Sequence, residues 1–547
     1  MAPRLIQPTP SAYSFPLLIK NLLDTPLIYS PDQEIVYRDQ FRYTYKDFGE
    51  RVKQLADMLT RQGVKPGDTV AIMEWDSHRY LECYFAVPMM GAVLHTINVR
   101  LSPEQLIYTI NHAEDKIILF NDEFTPMVEG VADRFETVTG LIRMCDTETP
   151  SETKLDLSGE YEDLMADAKP EFDFPDLDEN TMATTFYTTG TTGLPKGVFF
   201  SHRQIVLHTY GIMAGLCAYT SQGNVSSSDI YMPITPMFHV HAWGMPFLMT
   251  LLGAKQVYPG RYEPDMLLKL VDTEGVTYSH CVPTILQMIL ASPKMADADL
   301  SQWKVIIGGA ALAEGLCKTA MEKKINLFTG YGMSETCPVL SLANLKPHMM
   351  DWDTDQQVPI RCKTGLPIPN TQLEIVDPSG DALPHDGKTT GEIVVRSPWL
   401  TQGYLKNEDQ SEELWKNGWL HTGDIGHIDE EGYVKITDRL KDVIKTGGEW
   451  ISSLEIEDII SHHAAVAEVA VVGVPDEKWG ERPLAMVVLH EGAEPVTKEE
   501  IQAFCMTYVD QGQIPKYGVP EQIIFNQAIP KTSVGKISKK DIRAQFK

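Results

Sequence analysis

Between about residues 40 and 350 the chain alternates short β-rich apolar runs with amphipathic stretches of helical period, and that alternation leaves few folds open. The runs Thr69–Trp75, Lys116–Asn121, Gln256–Tyr258, Thr277–Val282 and Lys304–Ile307 read as buried strands. Pro103–Ala113 and Met266–Asp272 read as helices between strands. Such alternation lays helices over largely parallel sheets, so the expected class is layered α/β. A chain of 547 residues exceeds what one core organises, which implies two or more domains. The acidic, proline-containing segment Asp146 to Asn180 has little periodicity and reads as a solvated surface connection.

From Gly391 the pattern changes to short strands and tight turns, including Asp429-Glu430-Glu431-Gly432 before a strand at Tyr433–Thr437. After Asp438-Arg439-Leu440-Lys441-Asp442 comes a smaller α+β unit joined by a polar hinge. Its expected elements are a helix at Leu454–His462 with Ser452 and Glu455 as a capping box, strands at Ala467–Val474 and Leu484–Leu489, and a helix at Lys498–Val509. No internal repeat and no low-complexity tract is present.

Composition closes off several classes of function. A formal charge of −28 argues against nucleic acid, since neutralising a phosphate backbone needs a basic face. Phosphate-bearing ligands must instead be met by local positive groups. The eight cysteines are scattered, with no close pair at metal-ligand spacing, which suits reduced thiols in a cytoplasmic protein. Met1 to Phe15 carries prolines and no long apolar core, so no signal peptide is expected. The most apolar stretch, Pro236 to Gly253, is interrupted by His239 and His241 and is too short for a transmembrane segment.

Four motifs carry chemistry. In Tyr187-Thr188-Thr189-Gly190-Thr191-Thr192-Gly193-Leu194-Pro195-Lys196-Gly197, after the apolar strand Ala183 to Phe186, glycines let backbone N–H groups converge. The threonine hydroxyls and the Lys196 charge complete a seat for phosphate oxygens. It is not the common phosphate loop, which ends in Gly-Lys-Ser/Thr; the other reading of this run is a polar turn between two strands. The second motif, Gly330-Tyr331-Gly332-Met333-Ser334-Glu335-Thr336, follows Ile307-Gly308-Gly309-Ala310-Ala311. Its flanking glycines leave a slot where adenine could stack on the tyrosine, and Glu335 is a hard oxygen ligand suited to Mg²⁺ among phosphates. The third pairs Asp424, which can accept both hydroxyls of a ribose, with Arg439. The fourth is Ile529-Pro530-Lys531-Thr532-Ser533-Val534-Gly535-Lys536-Ile537, close to the last residue.

Taken in this order, the motifs resemble those of the AMP-forming adenylating enzymes, which include acyl- and aryl-CoA synthetases, luciferases and the adenylation domains of peptide synthetases. The resemblance extends over nearly the whole chain. It implies a large N-terminal domain of layered α/β subdomains plus a β-rich subdomain (1–438), a hinge (439–442) and a small mobile C-terminal α+β domain (443–547). It further implies that Thr188 to Gly193 and Lys196 hold the ATP phosphates. Gly309, Ala310, Ala311, Gly330, Tyr331 and Gly332 would line the adenine site, with Met333 beside them and Ser334 near the α-phosphate. Glu335 would be the metal ligand, Asp424 and Arg439 would bind the ribose, and Lys536 would be the adenylation lysine, with Lys531 as a decoy. The Lys536 ammonium would bridge the attacking carboxylate and the α-phosphate.

An acyl-adenylate needs an acceptor for its acyl group. Lys441-Asp442-Val443-Ile444-Lys445-Thr446-Gly447-Gly448-Glu449-Trp450 resembles the hinge and thiol channel of acyl-CoA synthetases, so Lys441, Lys445, Gly447, Gly448, Glu449 and Trp450 are the implied CoA-side residues. No carrier-protein sequence follows Lys536, which makes free CoA the expected acceptor. The acid is read from Met237 to Leu248, where no carboxylate could pair with a substrate ammonium. This segment fits either an acyl-chain lining or an amphipathic core helix. His239 matches a gate histidine near the carboxylate, and Trp243 would cap or open the acyl tunnel. The resemblance is strongest to medium- and long-chain fatty acyl-CoA ligases and methylthiopropionate-CoA ligases. Acetate-sized acids, reversal to make ATP, and loading of a separate carrier protein stay open, and relatives of the fatty-acid type suggest a homodimer.

Overall fold

The computed structural model describes residues 3–147, 149–188, 194–219, 223–296, 298–446, 449–476, 478–511, 513–531 and 537–546. Two α/β layers dominate the first two thirds of the chain. In one, seven described strands run in the order Gly159–Glu160, Gly140–Met144, Asp115–Asn121, Thr69–Met73, Val93–Thr96, Met182–Thr188 and Lys196–Ser201, parallel except for the last pair. The other has nine described strands, with a parallel centre that includes Ile230–Ile234, Tyr278–Cys281, Lys304–Ile307 and Asn326–Gly332. Strands such as Thr69–Met73 are buried at every position. This is why they read as continuous apolar runs: helices cover both faces of such sheets.

The expected elements stand with small changes of boundary. Pro103–Ala113 and Lys304–Ile307 have the limits read from sequence, while the helix expected at Met266–Asp272 extends to Pro264–Glu274. Ser102 closes a full capping box with Gln105 on the first of these. The Asp146 to Asn180 segment corrects the sequence reading. It contains the strand Gly159–Glu160 and the helix Tyr161–Ala166, and Tyr161 is fully buried with its hydroxyl donating to Glu82 Oε2 at 2.6 Å. A charge-rich run can still anchor itself by one aromatic side chain, which composition does not resolve.

An antiparallel layer follows, built from Gln372–Val376, Gly391–Arg396, Trp419–Ile428 and Val434–Arg439. Beyond it, Val466–Asp476 and Gly480–Leu489 form a long antiparallel pair backed by the helices Ser453–Ser461 and Lys498–Asp510. This C-terminal unit encloses its own apolar clusters, one centred on Ile444, Ile456 and Val471 and another on Val472, Leu484 and Ile542. Its helix Ser453–Ser461 has half of the expected capping box. Ser452 Oγ accepts from the Glu455 N–H at 3.0 Å, but its own hydroxyl donates to the Thr437 carbonyl. The strand Val434–Arg439 adds a different cap: Asp438 Oδ2 accepts both the N–H and the hydroxyl of Ser453 at 2.6 Å.

Candidate active site

Residues of three motifs that lie far apart in sequence are joined by side-chain contacts: Lys196 and Glu335 through Tyr404, and Tyr331, Asp424 and Arg439 directly. Thr188 and Lys196 face each other across the antiparallel end of the first sheet, which fixes where the phosphate loop leaves and returns. Thr189, Gly190, Thr191, Thr192 and Gly193 lie outside the described residues. Tyr187, at the root of the loop, is held by a 2.8 Å hydrogen bond between its hydroxyl and His112 Nδ1.

Glu335 sits in the 3₁₀ turn Ser334–Thr336 with only 8% of its surface exposed. Its Oε1 accepts the Tyr404 hydroxyl at 2.7 Å, and the Lys196 ammonium lies over the same tyrosine ring, 4.6 Å from its centroid. Sequence reading did not single out Tyr404. On the other side of the turn, the Tyr331 hydroxyl donates to Asp424 Oδ2 at 2.7 Å, and Arg439 Nε lies 3.0 Å from Asp424 Oδ1. Asp424 and Arg439 are direct register partners on adjacent strands. The Asp424 carboxylate beside it raises the Arg439 guanidinium further, so the charge at this edge is permanent.

The glycines of this region are also required by packing. A methyl on Gly332 would overlap the Pro338 carbonyl, and one on Gly330 would come within 2.8 Å of Ile306 Cγ2. Both glycines let the strand Asn326–Gly332 pack against its own neighbours at a register shift between Tyr331 and Gly332. Gly309 takes a positive φ of 77°, and Gly309, Ala310 and Ala311 are exposed at the end of Lys304–Ile307. Met333 and Ser334 are half-buried beside them.

The segment after Pro236 is neither a plain acyl lining nor a plain amphipathic helix. Val240, His241, Ala242 and Trp243 all have positive φ (49°, 55°, 46° and 59°) and lead into Gly244 at 74°. Only from Met245 does a right-handed helix, Met245–Leu252, begin. A left-handed turn of four side-chain-bearing residues costs about 1–2 kcal/mol per residue, so tertiary contacts must impose it. They are present: Asp76 Oδ1 accepts the Met237 N–H at 2.8 Å, the Tyr84 hydroxyl donates to the Met237 carbonyl at 2.5 Å, and Thr96 donates to the Phe238 carbonyl at 3.0 Å. Farther on, His241 Nε2 meets Thr184 Oγ1 at 2.9 Å, and burial lowers that imidazole to about 3, so it is neutral.

The turn aims His239 and Trp243 into an open cavity of about 480 Å³, solvent-facing mouth included, which Arg100, Thr235, Tyr262, Thr284 and Gly309 also line. The Trp243 ring packs beside His280 at 4.9 Å between centroids, and a methyl on Gly308 would lie 2.8 Å from it. The cavity and the exposed Gly309 turn therefore share a wall.

The chain carries a match to the AMP-binding enzyme model over residues 29–405 and to the AMP-binding enzyme C-terminal domain over 455–536. It belongs to the AMP-binding enzymes. It is 40% identical over 509 residues to a long-chain-fatty-acid–CoA ligase of Thermus thermophilus, covering 92% of this chain and 90% of that one. It is 38% identical over 545 residues to a 3-methylmercaptopropionyl-CoA ligase of Ruegeria lacuscaerulensis, covering 97% and 98%. Among solved structures, a Mycobacterium tuberculosis fatty acyl CoA synthetase aligns with a TM-score of 0.72 at 27% identity, over 97% of this chain and 98% of that one.

The second half of the expected machinery is partly described. Burial, followed by the neighbouring Arg439 charge, lowers the Lys441 ammonium. The Lys445 N–H donates to Glu481 Oε2 at 3.0 Å, and the backbones of Glu449 and Trp450 pair with Thr446 and Lys445. Gly447, Gly448 and Lys536 lie outside the described residues. Lys531, expected to be a decoy, is engaged by Glu468 Oε1 at 2.9 Å and forms an antiparallel bridge with Ile537. No described helix is long and apolar enough to cross a membrane.

Proposed function

We propose that this AMP-binding enzyme, an AMP-forming acid–CoA ligase that works through an acyl-adenylate, acts on fatty acids of medium to long chain with the residues named above. The joining of Lys196 to Glu335 through Tyr404, and of Tyr331 and Arg439 through Asp424, supports the residue roles, and the likeness to a long-chain-fatty-acid–CoA ligase supports the chain length. In it, Lys196 and the phosphate loop orient the leaving pyrophosphate, while Asp424 and Arg439 hold the ribose. Lys536 and Arg439 offset the charge that develops as a carboxylate oxygen attacks the α-phosphorus.

Mg²⁺ fits this donor set. Among the described residues no group of three or more His, Cys, Asp and Glu side chains could hold a metal alone. A single carboxylate completed by substrate phosphates and water is how Mg²⁺ is commonly bound, and Glu335 supplies it. The ion would neutralise phosphate charge as ATP binds.

Residues 1–438 form the ATP and acid domain, 439–442 the hinge and 443–547 the mobile domain. Lys441 is the hinge residue, and rotation exchanges the Lys536 loop for the Lys445–Trp450 face that receives CoA. The separate apolar clusters of the C-terminal unit support this division. Reduced cysteines support a cytoplasmic setting, and a homodimer is the expected assembly.

A second reading, a short acid such as 3-methylthiopropionate, draws on the wall formed by Trp243 and on the few polar groups, Arg100, Thr235, Thr284 and Tyr262, in a mainly apolar lining. Purified protein given Mg²⁺, ATP, CoA and acids from acetate to palmitate decides between the two by its kcat/KM profile. Absence of AMP release across the whole panel refutes both. Lys536→Ala should abolish adenylate formation yet spare thioester formation from supplied acyl-AMP; equal loss in both half-reactions would remove that lysine from the first step.

A further inference from the structure

The link that follows the strand Gly391–Arg396 crosses the site between its two charged ends. The Leu405 N–H donates to the Gly197 carbonyl at 2.8 Å, Val198 and Tyr404 form an antiparallel bridge, and the Thr401 N–H donates to the Glu335 carbonyl at 2.9 Å. Thr401 Oγ1 adds a 3.0 Å bond to the Phe199 carbonyl. Gly197 admits this crossing, because a methyl there would come 3.0 Å from Leu405 Cβ and 3.2 Å from the Tyr187 ring. The link is thus fixed on one side to the strand that carries Lys196 and on the other to the turn that carries Glu335.

From this link we propose that Tyr404 is a positioning residue that holds Lys196 and Glu335 apart, so that one keeps its charge for phosphate and the other for Mg²⁺. The inference rests on the roles given above to those two residues. An ammonium and a carboxylate this near the same ring would otherwise be drawn into an ion pair and cancel each other before ATP arrives. Tyr404 engages both without neutralising either. Its negative ring face carries the Lys196 ammonium, and its hydroxyl takes only Oε1 of Glu335, which fixes the carboxylate and leaves the second oxygen to a cation.

The two contacts can be separated in the full-length enzyme. Tyr404→Phe keeps the ring and loses the hydroxyl, whereas Tyr404→Leu loses both. Two quantities are read: the affinity for ATP in EDTA by calorimetry, and the Mg²⁺ concentration that half-saturates ATP–pyrophosphate exchange. Tyr404→Phe should bind metal-free ATP within about twofold of the parent protein, while its Mg²⁺ requirement rises about tenfold. Tyr404→Leu should in addition weaken metal-free ATP about two- to thirtyfold. An unchanged Mg²⁺ requirement in Tyr404→Phe overturns the proposal, as does metal-free ATP binding equal in the two variants. If Tyr404→Leu does not fold, the Mg²⁺ requirement of Tyr404→Phe decides alone. Glu335→Gln keeps the two levels distinct: if it too leaves the Mg²⁺ requirement unchanged, Glu335 is not the metal ligand, whereas a raised requirement there beside an unchanged Tyr404→Phe removes Tyr404 only.

Discussion

Asp76 gives the most quantitative test of how the acid cavity is held. Its fully buried carboxyl accepts the Met237 N–H at 2.8 Å and the Tyr262 hydroxyl at 2.5 Å, so it joins the start of the left-handed turn to the cavity wall. Burial raises its pKa from 3.8 to about 7, against the opposing pull of those two hydrogen bonds and of Arg100. The native state therefore keeps a proton that the unfolded chain has already released. Unfolding then gives up a proton, and stability falls as pH rises. This stabilisation is fully present below pH 3.8 and is lost as pH climbs through about 7. At about 1.4 kcal/mol per pH unit, the span amounts to roughly 4 kcal/mol, of which about 3 falls between pH 5 and pH 7. Asp76→Asn keeps an acceptor for Met237 and removes the charge. Relative to the parent protein it should gain about 3 kcal/mol as pH is raised from 5 to 8, a shift of a few degrees in melting midpoint. Glu74, also fully buried and raised to about 8, is present in both proteins and cancels in the difference. Melting and guanidinium midpoints at pH 5, 6, 7 and 8 provide the measurement. A difference between the two proteins that stays constant over that range, or that moves against the variant as pH rises, refutes the reasoning.

Asp424→Asn should raise the KM for ATP about ten- to a hundredfold, because a buried charged acceptor is lost, and should also lower the melting midpoint, since the same carboxylate pairs with Arg439 and Tyr331; equal KM values would exclude the ribose role. Gly332→Ala should lower stability by about 1–3 kcal/mol or more, since its methyl meets the Pro338 carbonyl rather than a yielding side chain. An unshifted denaturation midpoint would show that the strand gives way freely there. Trp243→Leu removes the ring that closes the cavity against Gly308 and His280. Its kcat/KM profile over saturated acids should move to longer chains by about fourfold for each further buried methylene, and an unmoved profile would take Trp243 out of the acid site.

The parallel layers were legible because their strands are buried on both faces, so 70–73 and 305–307 are unbroken apolar runs. The motifs were recognisable for a related reason, since the members of each run are neighbours in the chain. The turn at Val240–Trp243 was not, because local preference opposes it: a β-branched residue at φ 49° is set by Asp76, Tyr84 and Thr96, each remote in sequence. The packing demand on the glycines was not legible either. Gly330 and Gly332 give no sign in sequence that Ile306 and the Pro338 carbonyl are what crowd them.

Tyr404 and Asp76 show what the remaining gap has in common. Neither belongs to the four motifs, and each bonds two segments remote from it: Tyr404 reaches Glu335 across 69 residues while it carries Lys196, and Asp76 reaches Met237 across 161 while it receives Tyr262. A motif has a spacing because its members act through one stretch of backbone. A residue that sets the distance between two motifs has no spacing to display, since its partners are fixed by the packing of separate strands. Such residues are found by asking which buried polar side chain bonds two functional segments at once. Their substitution should alter how two ligand groups are bound relative to each other before it alters whether either is bound, which is the separation that Tyr404→Phe and Tyr404→Leu measure.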